Sequence, residues 1–577
     1  MRPARRMVGA QRALHLRPVI RVLTAALAAL VPALAGGPYR AAPAAYGVAT
    51  SLDKLRPADP LPAGRRIALE APRGACASAQ VAVKPPARLT AFTASAEPLR
   101  GGGGITPALY RVATVPLARG SGPDGADGPW PDPLVPERDA FFGEARRAFP
   151  VEVPADSLQA VWVELCVPRH AAAGLQRGEV RLANEGRTLA RVPVALEVLP
   201  FALPARPSFT VTMGLPTRTG TKALGRPDDP EIARALAAAA LRHGVSPYGL
   251  SYDPPGGRCT AERCELDWRA YDAEVGPVLD GTLVPGVKGG FADLRVPWRD
   301  WTRPDADLAA LFRAWRAHFE ARGWSDRLWL YTLDEPKKQD LGELARRARL
   351  ARASGVRVFV TSVPLPELTG LVDAFAPNVF FFDGRRPDAF RLARGPGATP
   401  GRPFWYASCM SHGCDEIPAA EGPVRREMMR SFRGWPGYAV DRPGAAVLAM
   451  GWLGWREGVA GELYYDMLQA WDRDPWADVR RFAGNGDGTL LYPGLPSRLG
   501  GTHPFPVESI RLKLVREAIQ DRALLELAEA RGLGPLAARL AERIAPGVRG
   551  FARESGPWIA ARRELLAALA ARERTAD

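Results

Sequence analysis

The sequence predicts a multidomain chain: an antiparallel β-sandwich, then a (β/α)8 TIM-like barrel, then a C-terminal helical extension. Three observations predict it. Between about residues 50 and 204, short segments such as "RIALEAP", "SAQVAVKP", "AVWVELCVP", "GEVRLAN" and "RVPVALEVLP" alternate in character and are separated by Gly, Pro and Asn turns. That is the pattern of a sandwich. From about residue 208, short and nearly continuous apolar segments alternate with helix-period stretches, which implies a parallel sheet covered by helices. Beyond about residue 507 the pattern is helical throughout.

Residues 1–35 open the chain with Arg2, Arg5, Arg6, Arg12, Arg17 and Arg21 ahead of the apolar run "VLTAALAALVPALAGG". Basic residues, a short apolar core and the small-residue pattern Ala33-Leu34-Ala35 predict a secretory signal peptide and an exported, periplasmic or extracellular protein. The run is too short and too interrupted by proline to span a membrane, which takes about 20 apolar residues.

The sandwich is expected over residues 36–204, with "GSGPDGADGPWPDPLVPERD" (120–139) as a long polar loop inside it. A linker follows at Pro200, Pro204 and Pro207. The barrel is expected over 205–506, with strands at "SFTVTMGL", "VSPYGLSY", "TLVPGVK", "RLWLYTL", "VRVFVTSV", "NVFFF", "PFWYASC" and "GELYYD". Residues 507–577 are read as amphipathic helices packed on the barrel, with Ile510, Leu514, Ala518 and Leu525 near one face of the first.

Six cysteines agree with export. Cys259 and Cys264, and Cys409 and Cys414, are spaced to close small disulfide loops, with Cys76 and Cys166 left as a possible third pair. His412 lies inside the second loop, but the spacing is wider than the tight ligand pairs zinc favours, and no paired-ligand motif occurs elsewhere. No metal and no cofactor is expected. "GNGDGTLLYPG" (484–494) lacks the carboxylates of a calcium loop and reads as a glycine-rich turn. The net charge of +15 comes from arginines interleaved with acids along the whole chain, so no nucleic-acid face is implied.

One stretch carries chemistry. In "RLWLYTLDEP" the adjacent acids Asp334 and Glu335 end the expected fourth barrel strand, where such barrels place their reactive groups. Pro336 breaks the strand there and is expected to hold Glu335 extended. The bland reading makes Asp334 a helix cap, but residues 340–343 ("DLGE") already offer a capping box. Cleavage of a glycosidic bond by the common retaining route needs a second carboxylate about 5 Å away on another strand. The seventh strand ends without one, and Asp383, Glu462 and Asp466 are the late candidates. An adjacent Asp–Glu pair suits another scheme, in which the substrate's own 2-acetamido oxygen attacks the anomeric carbon.

The chain resembles glycoside hydrolase family 123. The resemblance rests on "VWVELCVPRHAAAGLQRGEVRLA" with "VPVALEVLPFALP", on "LYTLDEP", and on "DPWADVRRFAGNGDGTLLYPG" followed by "PFPVESIRLKLVREAIQDRALLELA". It implies a β-N-acetylgalactosaminidase-like enzyme with a carbohydrate substrate. Asp334 would stabilise the acetamido group and Glu335 would be the general acid/base. The chain departs from the family at "GELYYDM", where a tryptophan is common.

Sugar rings stack on aromatics, and Tyr331, Trp405, Tyr406, Trp452, Trp455, Tyr464 and Tyr465 are the aromatic candidates for the pocket. Of Trp405 and Tyr406, strand alternation sends one inward and one to the helices. Tyr406 is expected to hydrogen-bond the acetamido oxygen, and Trp452 or Tyr465 to line the pocket. Arg218, His243 and Asp253 are further candidates for sugar hydroxyls.

Overall fold

The computed structural model describes residues 46–576 apart from 102–103, 123, 207, 252, 383–402, 410–413, 415–433 and 483. Residues 1–35, including the expected signal peptide, and Asp383 lie outside the described residues. No described helix is long and apolar enough to cross a membrane.

The N-terminal part, residues 46–202, forms two five-stranded sheets. One carries Tyr46–Thr50, Cys76–Val83, Gln159–Cys166, Ala108–Leu117 and Gly128–Pro136 in that spatial order; the other carries Ile67–Arg73, Arg187–Ala202, Gly174–Asn184, Leu89–Ala96 and Val151–Val153. Pairing is antiparallel except between Arg187–Ala202 and Ile67–Arg73, which run parallel. Alternate residues of both sheets (Val81, Val161 and Val163 from one, Val180, Leu182, Val194 and Leu196 from the other) meet in one apolar core. Cys76 and Cys166 stand directly opposite each other on neighbouring strands and form a disulfide.

The expected loop at 120–139 is partly a strand, Gly128–Pro136. It lies at the sheet edge, the place where a strand tolerates proline because one row of N–H groups has no partner. The expected linker likewise begins later, because Arg187–Ala202 runs through Pro200.

Among the described residues, eight short parallel strands follow, in two four-stranded sheets. In the first, Thr210–Gly214 pairs with Val245–Tyr248 and with Gly461–Tyr464, which pairs with Phe404–Tyr406. In the second, Leu328–Tyr331 lies between Ala292–Asp293 and Arg357–Val360, and Ala374–Phe375 closes the row. Two expected strands move. "TLVPGVK" forms the turn after the helix Arg269–Asp280, and the third strand is the two-residue Ala292–Asp293. "NVFFF" is a helical turn, Val379–Phe382, and the sixth strand is Ala374–Phe375.

The two sheets curl around a shared aromatic core of Phe291, Trp329, Phe359, Phe404 and Leu463. They touch at a lone bridge between Asn378 and Tyr406 and at Ser246, whose hydroxyl accepts from the Gly290 and Phe291 N–H groups. Among the described residues no continuous ladder joins them. Helices cover the outer face. Pro230–Leu241 starts at Asp229, whose carboxylate accepts from the Glu231 and Ile232 N–H groups, and it buries Ile232, Leu236 and Ala240. Asp305–Ala321 buries Leu308, Phe312, Trp315 and Phe319, a helical stripe.

The helix Ile510–Ala530 is not amphipathic as expected. It is buried almost all round, its charged residues Arg511, Lys513, Arg516, Glu517, Asp521 and Arg522 included. Those charges are matched: Arg511 pairs with Asp132 at 2.7 Å, Lys513 with Glu164 at 3.0 Å, and Arg562 with Glu517 at 3.0 Å. A buried helix can carry charge only when each group finds a partner.

Candidate active site

Alternation along the parallel strands fixes which side chains face the shared core. Trp329 and Tyr331 of the fourth strand face it, as do Phe359 of the fifth, Phe404 and Tyr406 of the seventh, and Leu463 of the eighth. Glu462 and Tyr464 therefore point the other way, towards the helices. So does Trp405, which is fully buried. At the C-terminal ends of the strands the inward positions become polar, and Asp334 and Glu335 stand among them.

Asp334 is exposed. Its Oδ1 accepts two hydroxyls, Tyr331 Oη at 2.7 Å and Thr361 Oγ1 at 2.6 Å. Neither contact is a helix cap. The following helix, Leu341–Ala353, does not use the expected capping box either: the Asp340 carboxylate accepts from the Lys337 N–H, and Glu343 is held by Arg346 and Arg347. Among the described residues nothing donates to Asp334 Oδ2.

Glu335 is not extended, as Pro336 was expected to make it. Its φ is +44°, in the left-handed region, which costs a non-glycine residue ~1 kcal/mol or more. Two contacts hold it there. Its N–H donates to Thr361 Oγ1 at 2.9 Å, and its Oε1 accepts from Tyr406 Oη at 2.5 Å. The Tyr406 hydroxyl, expected on a substrate group, is thus engaged with Glu335.

Electrostatics keep the tyrosines as donors. Burial, then the neighbouring Tyr248 and Asp334, push the Tyr331 hydroxyl well above its ordinary range, so it stays protonated and can only donate to Asp334. Burial and the surrounding carboxylates of Asp293, Asp334 and Asp466 do the same to Tyr248. The rings of Tyr248 and Tyr331 meet edge to face at 6.1 Å. Asp466, just past the eighth strand, is raised to about 7 by burial, against the opposing pull of the Leu468 and Met467 N–H groups.

The structure brings Asp334, Glu335, Tyr331 and Tyr406 together and places Trp452, Trp405, Glu462 and His243 away from them. Trp452 lies in the helix Ala445–Arg456, buried, with its indole N–H donating to Asp521 Oδ2 at 2.9 Å. It packs helix on helix, against Trp558 and Asp521. Trp405 is in the same helix-facing layer. Tyr465 is half-buried and donates to Asp487 Oδ2 at 3.1 Å. Glu462 is buried behind the strand and accepts from Tyr438, which removes it as a partner for Glu335 across the mouth. His243 precedes the second strand and is buried, with Nδ1 2.8 Å from the Ala239 carbonyl, so it too is away from the strand C-termini. Arg218 pairs with Asp228 at 3.0 Å and Asp253 at 3.6 Å.

Sequence reasoning missed Thr361 and Tyr248. Both stand at or just past inward-facing strand ends, so counting alternate residues from Phe359 and Ser246 would have found them. Cys259–Cys264 and Cys409–Cys414 form disulfides. Among the described residues no group of three or more His, Cys, Asp or Glu is arranged to hold a metal ion. Asp487 of the glycine-rich turn accepts from Tyr464 and Tyr465.

No family model matches the sequence, and no curated protein matches it. Among solved structures, the chain is similar to a family 123 glycoside hydrolase from Clostridium perfringens that was analysed for glycolipid glycan hydrolysis. The TM-score is 0.62 at 12% identity, covering 91% of this chain and 98% of that one. A Bacteroides ovatus family 5 xyloglucanase matches with TM-score 0.27 and 9% identity over 82% of this chain and 100% of that one. A family 39 glycoside hydrolase from Bacteroides cellulosilyticus matches with TM-score 0.30 and 10% identity over 78% of this chain and 81% of that one. The first likeness defines a fold shared with a glycoside hydrolase.

Proposed function

We propose that the protein is an exported glycoside hydrolase that cleaves β-linked 2-acetamido sugars, N-acetylgalactosaminides first among them, with retention at the anomeric carbon. The reading takes the eight parallel strands as a (β/α)8 barrel over residues 205–506, the preceding sheets as a β-sandwich over 36–204, and residues 507–577 as a helical extension. One observation carries it: Asp334 and Glu335 are adjacent at the end of the fourth strand, each with one oxygen held by tyrosine and the other open. The family 123 fold likeness agrees with it.

In this scheme Asp334 Oδ2 accepts the substrate's acetamido N–H and orients its carbonyl oxygen for attack on the anomeric carbon. Glu335 donates a proton to the leaving glycosidic oxygen. Water then opens the cyclic intermediate as Glu335 takes a proton back. Tyr331 and Tyr406 donate to the two carboxylates and fix them, a preorganised arrangement that needs no reorientation during the reaction.

The test is turnover of aryl β-glycosides of N-acetylgalactosamine, N-acetylglucosamine, galactose and glucose. Turnover of the acetamido sugars alone, lost in Asp334→Asn, supports the scheme. Glu335→Gln should spare these activated substrates more than Asp334→Asn does, because a good leaving group needs little protonation. Turnover of galactoside or glucoside that survives Asp334→Asn would refute substrate assistance. Binding to a glycan without turnover of any substrate would make the chain a glycan-binding protein.

A further inference from the structure

We infer that Thr361, just past the end of the fifth strand, is a positioning residue that locks both carboxylates with a single hydroxyl; the inference rests on the reading of Asp334 and Glu335 given above. A threonine hydroxyl has one proton and two lone pairs. The Glu335 N–H can only donate, so at 2.9 Å it takes a lone pair of Thr361 Oγ1. The proton of Thr361 is then directed to Asp334 Oδ1 at 2.6 Å. The two contacts are tied together: the hydroxyl that holds the Glu335 backbone also fixes the rotation of the Asp334 carboxylate.

The direction of these bonds assigns the oxygens. Tyr331 and Thr361 both donate to Oδ1, so Oδ2 is the oxygen presented to the substrate amide. Thr361 is suited to the task because it is 3% exposed and β-branched, which stiffens χ1 and keeps the hydroxyl in one place. It also stands against the tendency of Glu335 to leave its left-handed conformation. Without an acceptor for its N–H, a residue at φ +44° before proline has every reason to relax to the extended region.

Thr361→Val keeps the shape and removes the hydroxyl, and Thr361→Ser keeps the hydroxyl and removes a methyl. On an aryl β-N-acetylgalactosaminide, Thr361→Val should lower kcat by roughly 10- to 100-fold with KM changed less than about threefold, since small misplacements of catalytic groups carry losses of that size. Its pH–kcat profile should shift, because the hydroxyl bonds one carboxylate directly, and Thr361→Ser should recover most of the rate. Equal loss in Val and Ser, or an unchanged kcat and pH profile in Val, would overturn the inference. A crystal structure of Thr361→Val decides the matter even for a protein that turns over nothing. Glu335 moved to negative φ with Asp334 rotated supports the lock, and both residues unmoved refutes it. Failure of the wild type on every glycoside would count against the proposed reaction, whereas unmoved carboxylates would count against Thr361.

Discussion

Tyr406 Oη donates to Glu335 Oε1 at 2.5 Å, joining the seventh strand to the end of the fourth across 71 residues of sequence. The contact leaves Glu335 with one oxygen fixed and one without a side-chain donor among the described residues, which suits the general-acid role proposed for it. Hydrogen bonds to charged groups contribute about 1.5–3 kcal/mol. Tyr406→Phe should therefore lower kcat/KM by roughly 10- to 100-fold, since each 1.4 kcal/mol is a factor of ten. Thermal stability should fall by less than this, because Glu335 is exposed and water replaces the lost hydroxyl while the ring and its inward packing remain. Steady-state kinetics beside a melting curve checks both.

Stability should fall as pH rises through neutrality, and Glu462 is a principal cause. Burial raises its carboxyl from 4.5 to about 8, against the opposing hydrogen bond of Tyr438. Between these values the native chain keeps a proton that the unfolded chain has lost, so unfolding becomes easier with increasing pH. At 1.36 kcal/mol per unit the span is worth on the order of 5 kcal/mol. Glu462→Gln should flatten this slope between about pH 4.5 and 8. His243 acts on the other side: burial lowers it from 6.5 to about 3, so stability is lost as pH falls through that window. Denaturant midpoints measured from pH 4 to 9 would separate the two.

How much of this was legible in the sequence depended on the kind of signal. Asp334 and Glu335 stood out because acids at the end of an apolar strand break a pattern. Thr361 did not, since a β-branched residue after "VRVFV" looks like more strand. Trp452 misled because "AAVLAMGWLGWR" is apolar all round, and a helix buried on every side has no periodicity to mark it. Ala292–Asp293 and Ala374–Phe375 are two residues each, too short to register as apolar runs, so the nearby "TLVPGVK" and "NVFFF" took their places. The glutamate–proline step suggested an extended Glu335 by local sterics alone. The hydroxyl of Thr361, 26 residues away, overrides that preference.

The N-terminal sheets are clamped to the helix Ile510–Ala530 by a fully buried ion pair. Arg511 grips Asp132 with Nε and Nη2 and gives its remaining N–H groups to the carbonyls of Tyr438, Gly486 and Thr489. Asp132→Ala would leave that guanidinium buried with no carboxylate, a loss of about 3–5 kcal/mol. The double variant Asp132→Ala with Arg511→Met should recover part of it, because it removes one of the two buried cations, Arg511 and Lys54, that the loss of Asp132 strands. Urea midpoints of the two variants provide the comparison.

The disulfides should differ in what they contribute. Cys76 and Cys166 are 90 residues apart, whereas Cys259–Cys264 and Cys409–Cys414 each span five. If cross-links act by restricting the unfolded chain, the long loop is worth about 4–5 kcal/mol and each short one about 2 kcal/mol. The long one also joins adjacent strands already in register, so closing it asks little movement of the folded chain. Replacing Cys76 and Cys166 with serine should therefore lower the unfolding midpoint about twice as far as replacing Cys259 and Cys264. Equal shifts would mean that the native-state fit of each bridge outweighs its loop length.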